Sequence, residues 1–405
     1  MTKITRLLIL DPVPHGRRGH HQHFIEGVLR DRETLGVDAH FFVGKSDADS
    51  ISTEPVFHPT FQHYLYKPLS SDPYNGALRD FQIGSQAFAA DLHHVLKMRP
   101  SESDLLIVPS TSFRIAAGLA RWRRETKCAS PAVLLFHHLV PVHLSLQPGS
   151  LGGALARTTG EALAASKKDG EALLGATTEG LAKRLSTAMK MRVSELPLPL
   201  WYPASSQTEA ECVGAPPVVA VVGGLRKEKG AELMPSIVAD MEHLGIPARL
   251  SVQGNNPDPE SLQPLMELQR AGRLDLLREE LSDEEFGQVI SKATFILFPY
   301  DRKRYLDRSS GAFSYAAALG RPCIVPSDTW MSQQIEAGNA AGLIYSGNTS
   351  SDIVCCVAAA ISDVARLSEL AAIRAGTWRA KQNGTAFLRS AIEWAENRTM
   401  ARRQG

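Results

Sequence analysis

Arg226, Lys227 and Lys229 follow directly on the apolar run PVVAVVGG (217–224), so three cations and one carboxylate, Glu228, stand at the C-terminal tip of a buried strand. Glycines 223 and 224 permit a sharp turn there and keep side chains away from an approaching ligand. Arg226 and Lys229 beside such a turn suit a diphosphate, whose charge rises when a bond to it breaks. The same RKEK run (226–229) can instead pair with itself on a solvated surface. A second stretch favours the ligand. In ATFILFPYDRKRYLDRSSGAFSYAAALGRPCIVP (293–326) a strand ends at Pro299, a basic loop follows, and SSG opens a small-residue helix that closes at Gly320. Free amides at a helix start bind anions, so Ser309, Ser310 and Gly311 can cradle a phosphate.

Other constellations say less. DRKRYLDR (301–308) carries four cations and two acids, a pattern that attracts a nucleotide diphosphate or anionic lipid but more often marks a solvated face. His15, His20, His21 and His23 cluster near the first strand, and imidazoles are common metal ligands. No acid stands at matching spacing, so these histidines are expected to bind an anionic or polyhydroxyl acceptor or to line a cleft mouth, with no metal. Trp330 reads either as a lid over a base or sugar or as core, and the Cys355–Cys356 pair as core of an apolar helix. Neither a G-x-S-x-G elbow nor a Walker lysine motif is present.

The elements that must position these residues form two series. Short apolar runs at 6–10, 39–43, 104–109 and 132–138 read as buried parallel strands, with helical patterns at 23–36 and 85–98 between them. The alternation restarts with strands at 217–224, 248–254, 293–299, 322–326 and 342–345, and with helices at 231–244, 258–271, 283–291, 311–319 and 351–374. This predicts an α/β protein of two Rossmann-like, doubly wound parallel-sheet domains facing across a cleft, over 1–200 and 201–385. The proline-rich stretch 194–217 reads as a linker, 152–180 as helical, and 386–405 as a terminal helical segment packing back toward the N-terminal domain.

Bulk composition agrees with two domains. The chain has 405 residues, 43% apolar and 21% charged. With 44 basic and 43 acidic side chains there is no electrostatic reason to expect a nucleic-acid partner. Five scattered cysteines (Cys128, Cys212, Cys323, Cys355, Cys356) fit free thiols in a reducing compartment. The apolar run in MTKITRLLILDPVPHG (1–16) is short for a signal peptide, and no segment reaches the length of a membrane span. The expected location is cytoplasmic, with room for peripheral contact at the inner face of a membrane.

Together the two basic stretches resemble the donor-binding half of GT-B glycosyltransferases, in particular the retaining family-4 type. That family shows a strand, then G-R-x-x-x-x-K-G, and later a carboxylate-x7-carboxylate helix followed by G-x-P-V. Lys229 and Gly230 fall on the family's lysine and glycine, whereas the arginine position is Gly224, with Arg226 as substitute. The first family carboxylate falls on Asp307 and the second on Tyr315, which is no carboxylate.

Further features match along the chain. FHH (136–138) sits where the family has a histidine facing the transferred sugar, so the resemblance implies that role for His137, with His138 as the near alternative. Gly16 and Gly19 fall where relatives place a glycine pair near phosphates and acceptor, and 196–203 and 340–345 match the interdomain crossing and a G-x-G-L step. The likeness implies a metal-independent, cofactor-free hexosyl transfer from a UDP- or GDP-type nucleotide sugar to a carbohydrate or lipid-linked acceptor. Retention and a place in polysaccharide or glycoconjugate synthesis are implied with it. Asp307 would grip donor hydroxyls, and Tyr315 would lie at the substrate. The departures at Gly224 and Tyr315 keep a catalytically inactive binding or partner protein open as an alternative, and a nucleotide-sugar epimerase as a further one.

Overall fold

The computed structural model describes residues 2–14, 20–45, 56–63, 67, 69, 75–139, 145–202, 216–255 and 259–403. The chain divides into two compact units, Met1–Trp201 with Asn383–Gly405, and Tyr202–Gln382.

The first unit runs β1 (Arg6–Pro14), α1 (His20–Leu35), β2 (Asp38–Gly44), β3 (Phe57–Phe61), α2 (Gly76–Asp91), β4 (Asp104–Val108), α3 (Phe113–Thr126) and β5 (Ala132–Phe136). It continues with α4 (Leu151–Ser166), β6 (Ala172–Ala176), α5 (Glu179–Met189) and β7 (Val193–Glu195). All its strands pair in parallel, in the order β3-β2-β1-β4-β5-β6-β7. Helices cover both faces, which is why these strands read as continuous apolar runs. Successive residues go to opposite cores. Leu8, Leu10, Leu106, Val108, Leu134 and Phe136 pack on one side with α2 to α5, while Leu7, Ile9, Leu105, Ile107, Val133 and Leu135 pack on the other with α1.

The second unit repeats the plan with β8 (Val218–Val221), α6 (Met234–His243), β9 (Arg249–Gln253), α7 (Pro259–Arg270), β10 (Asp275–Leu277), α8 (Asp283–Lys292) and β11 (Phe295–Leu297). It ends with α9 (Arg302–Tyr305), α10 (Gly311–Ala318), β12 (Cys323–Pro326), α11 (Trp330–Glu336), β13 (Gly342–Tyr345), α12 (Ser350–Ser362) and α13 (Val364–Lys381). Its parallel order is β10-β9-β8-β11-β12-β13. Strand order reverses between β1 and β4 in the first sheet and between β8 and β11 in the second. Beyond the carboxyl ends of strands at such a reversal lies the usual ligand crevice of a doubly wound sheet.

The last helix, α14 (Gly384–Arg403), belongs to the first unit and sets Phe387, Leu388, Ala391 and Ala395 into the core shared with α1. Among the described residues no helix is long and apolar enough to cross a membrane.

Several sequence expectations need correction. The segment 152–180 is not helical throughout: ALLGA inside it is β6, buried between neighbouring strands, where a short apolar run carries no period to separate strand from helix. The stretch 194–217 is not wholly linker either. It begins inside β7, and Leu196, Leu198 and Trp201 are buried. The expected helix over 351–374 is two helices broken at Asp363. Cys355 is exposed rather than core. Trp330 is core, 2% exposed, packed edge-on against Phe313 and Trp378. The unforeseen β3 contains Pro59, which is tolerated because β3 is an edge strand.

Trp201, the last residue of the first unit before the chain leaves it, fixes that departure. Its indole N–H donates to Asp31 Oδ2 at 2.7 Å, its backbone N–H donates to His23 Nε2 at 2.7 Å, and its ring meets Phe24 edge-on. Gly27 and Gly384 lie flat against the same ring, where any side chain would collide with it. Trp201→Ala is therefore expected to cost about 3–5 kcal/mol and lower the melting of the first unit by on the order of 10 °C, with Trp201→Phe losing less. Scanning calorimetry of the two variants checks this; an unchanged first-unit transition contradicts it.

Candidate functional site

The carboxyl ends of β8 and β11 carry the candidate site. After β8 the chain turns at Gly223, whose φ of 95° lies in the left-handed region and whose amide donates to the buried Gln253 side chain at 3.0 Å. A 3-10 turn over Lys227–Lys229 follows and closes at Gly230, with φ 78°. A Cβ at Gly230 would strike the Pro299 carbonyl, so only glycine lets this loop lie against the end of β11. The Asp301 amide donates to the Glu228 carbonyl at 3.0 Å and ties the two loops together.

This docking sorts the cations. Arg226 Nε stands 3.3 Å from Glu228 Oε1, and Lys227 Nζ 3.0 Å from Glu232 Oε1, so part of the run does pair with itself. Lys229 does not. Its Nζ turns back over Gly223, 2.8 Å from where a Cβ would stand, and lies 5.5 Å from the centre of the Tyr300 ring. Among the described residues no carboxylate is within ion-pairing distance of it. Burial, then the nearby Arg226 and Arg308 guanidinium groups, push the Lys229 ammonium down to about 7, against a smaller opposing pull from Glu228. Charging Lys229 in the folded chain thus costs on the order of a few kcal/mol.

Tyr300 supplies the floor. It is 4% exposed, and burial raises its phenol far above the ordinary range. Its hydroxyl lies beside the Ser310 side chain but makes no well-formed hydrogen bond, leaving a buried polar atom to be satisfied. Tyr305 packs on Tyr300 with centroids 4.4 Å apart, and the Arg308 guanidinium covers Tyr305 at 5.2 Å.

The helix start expected to bind an anion is α10. Ser310 is its N-cap, accepting from the Phe313 amide at 3.3 Å, which leaves the amides of Gly311 and Ala312 as the orphan donors of the first turn. Gly311 is exposed, with no atom within 4 Å of the place a Cβ would occupy. The arrangement can therefore hold a phosphate-like anion: cations and a phenol on one flank, free amides at the cap.

The structure thus brings together Arg226, Lys229, Gly223, Gly224, Ser310 and Gly311 around the ends of β8 and β11. Ser309 and Asp307, both half-buried, lie on the approach to α10. Tyr315 is a core residue, 5% exposed, with Tyr202 and Phe286 edge-on at 5.3 and 5.5 Å. Its position is accounted for by packing. His137 belongs to the first unit, half-buried at the end of β5, with Nε2 2.8 Å from the Pro109 carbonyl oxygen. A carbonyl only accepts, so Nε2 carries the proton. Gly16, Gly19 and His15 lie outside the described residues, as does the side chain of His20.

Two histidines differ from expectation. His23 is buried and accepts the Trp201 amide, a structural use. His21 meets an acid that linear spacing had not offered: Asp11, fully buried within β1, lies 2.8 Å from its Nδ1. Sequence reasoning also missed Tyr300 and singled out Arg308 only as part of a charge run. The signal for Tyr300 was its place one residue beyond Pro299 at a strand end. Among the described residues no cluster of three or more His, Cys, Asp or Glu is placed to hold a metal ion.

No protein-family model and no curated protein matches the sequence. Solved structures do. A sucrose-phosphate synthase from Thermosynechococcus elongatus is 16% identical, the match covering 99% of this chain and 100% of that one, with a TM-score of 0.66. An α,α-trehalose 6-phosphate synthase from Burkholderia multivorans is 11% identical over 98% of each chain, TM-score 0.65. Anabaena HepE in complex with UDP is 11% identical over 97% of this chain and 100% of that one, TM-score 0.60. At such identities the likeness concerns the fold, and the fold of this chain is GT-B, with its two parallel-sheet units.

The depressed lysine has two consequences. Between pH 7 and 10.5 the folded chain holds fewer protons on Lys229 than the unfolded chain, so its penalty on stability is full below pH 7 and fades as pH rises through that window. It is also a nucleophile at neutral pH. Competitive acetylation read by mass spectrometry is expected to give a labelling midpoint near pH 7 for Lys229, well below the ordinary lysine value of 10.5. A Lys229 midpoint close to 10.5 contradicts the description of this site.

Proposed function

We propose that this chain is a glycosyltransferase that moves a hexosyl group from a UDP- or GDP-type nucleotide sugar to a carbohydrate or lipid-linked acceptor, with retention and without a metal ion. The observation that carries the proposal is the convergence of Lys229, the unsatisfied Tyr300 hydroxyl and the free amides of α10 at the strand-order reversal of the second sheet. The likeness to nucleotide-sugar-using structures supports the same reading: two solved forms of HepE hold UDP-glucose or UDP with glucose.

The chemistry follows from charge. Breaking the bond between sugar and diphosphate leaves negative charge on the departing oxygens, and groups already aimed at that point stabilise the transition state more than the ground state. Lys229 and Arg226 neutralise that charge, and the Gly311 and Ala312 amides hold the distal oxygens. A bound diphosphate also restores the proton to Lys229, reversing the cost of its burial. In this reading Asp307 grips hydroxyls of the donor sugar, and His137 orients the sugar or its acceptor. No histidine or carboxylate need then act as base on a water. The acceptor hydroxyl attacks on the face that the diphosphate leaves, which passes its proton to the departing phosphate.

One observation favours a second reading, binding without transfer. Tyr315 occupies the second carboxylate position and is committed to an aromatic core contact, so that acceptor pair is missing. The two readings part on turnover. With a donor found by screening UDP- and GDP-sugars, Lys229→Ala is expected to cut turnover about a hundredfold, on the order of 3 kcal/mol of barrier, while the second unit still folds. Wild-type turnover in the variant contradicts the role of Lys229; binding by the native chain with no transfer to any acceptor extract supports the second reading. NMR of the product should show the donor's anomeric configuration, and an inverted anomer overturns retention.

A further inference from the structure

Position 224 is glycine where a cation would serve a diphosphate, yet nothing in the backbone demands glycine there. Gly224 is outside the left-handed region occupied by Gly223 and Gly230. A Cβ at 224 would meet its nearest neighbours, Arg226 Nε and the Asn255 carbonyl oxygen, at 3.6 Å, an ordinary van der Waals contact. A side chain fits, so the missing charge is not a steric necessity.

Arg226 is nearest in sequence, but its side chain is 45% exposed and turned to Glu228. Arg308 differs in each respect. It is half-buried, lies on the Tyr305 face, and among the described residues has no carboxylate within ion-pairing distance. Tyr305 packs on Tyr300, which in turn carries Lys229, so cation, ring, ring and cation form one continuous stack. A guanidinium lying over a ring keeps its N–H fork available at the edge, the geometry that takes two phosphate oxygens at once. Arg308 also stands two residues before the Ser310 cap of α10.

We infer that Arg308 is a phosphate-binding residue of this site and supplies the forked guanidinium contact that position 224 lacks. The inference rests on the nucleoside-diphosphate reading above and names a residue that neither the motif nor its expected substitute includes. Arg226, Glu228, Lys229, Tyr300 and Tyr305 are its charged and titratable surroundings.

Calorimetric titration of the full chain with UDP and GDP, and with uridine and guanosine, tests it. Arg308→Met keeps an apolar stem against Tyr305 and removes the fork; Arg308→Lys returns a point charge. For the nucleotide that the native chain binds, Arg308→Met is expected to lose about tenfold or more in affinity while nucleoside affinity holds. Arg308→Lys should recover part of the loss, and Gly224→Arg added to Arg308→Met should recover more. If Arg308→Met does not fold, the split between nucleotide and nucleoside is read from Arg308→Lys. Native diphosphate affinity in the Arg308 variants, beside a loss in Lys229→Ala, overturns the assignment and leaves the transferase reading standing. Equal losses for nucleotide and nucleoside reduce Arg308 to a structural part and overturn it as well. A native chain that binds neither UDP nor GDP overturns both.

Discussion

An ammonium group withdrawn from water beside two guanidinium groups is unstable unless an anion joins it. That constraint organises the second unit. Lys229 faces Arg226 and Arg308, with Glu228 as the one opposing charge among the described residues that acts on it appreciably, and its proton is held far less tightly than in water. A protein stabilised only for its own sake would turn such a lysine outward, as Lys227 and Lys303 are turned. Retaining it inside makes sense where a ligand brings negative charge, and brings it to a particular place.

The fold makes that arrangement rather than merely permitting it. The parallel strands β8 and β11 are neighbours whose connections leave in opposite directions, so their two loops meet beyond the strand ends with no helix between them. Gly230 lets the first loop lie on the carbonyl of Pro299, and the Asp301 amide locks the second to Glu228. In the joined loops Lys229 Nζ lies over Gly223 and the Tyr300 ring. The helix that follows, α10, then presents its free amides from the same loop that carries Arg308. Sheet order, two glycines and one capped helix thus account for a site whose residues are spread along the chain from Gly223 to Ala312.

Much of this was legible in the sequence because the signals are local. An apolar run ending in GG, followed by cations, reads as the tip of a buried strand, and SSG before a small-residue run marks a capped helix start. The strands that escaped notice, β3, β6, β7 and β10, are short, and their residues carry neither strict alternation nor a rich β-branched content. The site residues that escaped, Tyr300 and Arg308, owe their role to stacking between side chains in three dimensions, which linear spacing does not encode. Asp11 and His21 illustrate the same limit, since ten residues of chain separate a pair that the β1–α1 connection brings into hydrogen-bonding contact.

The most direct test of the account is a crystal structure of the chain grown with UDP or GDP. A diphosphate oxygen is expected about 2.7–3.2 Å from Lys229 Nζ, and another at the same range from the Gly311 or Ala312 amide. A nucleotide found elsewhere on the molecule, with Lys229 still packed over Tyr300 and touching no phosphate, would contradict it.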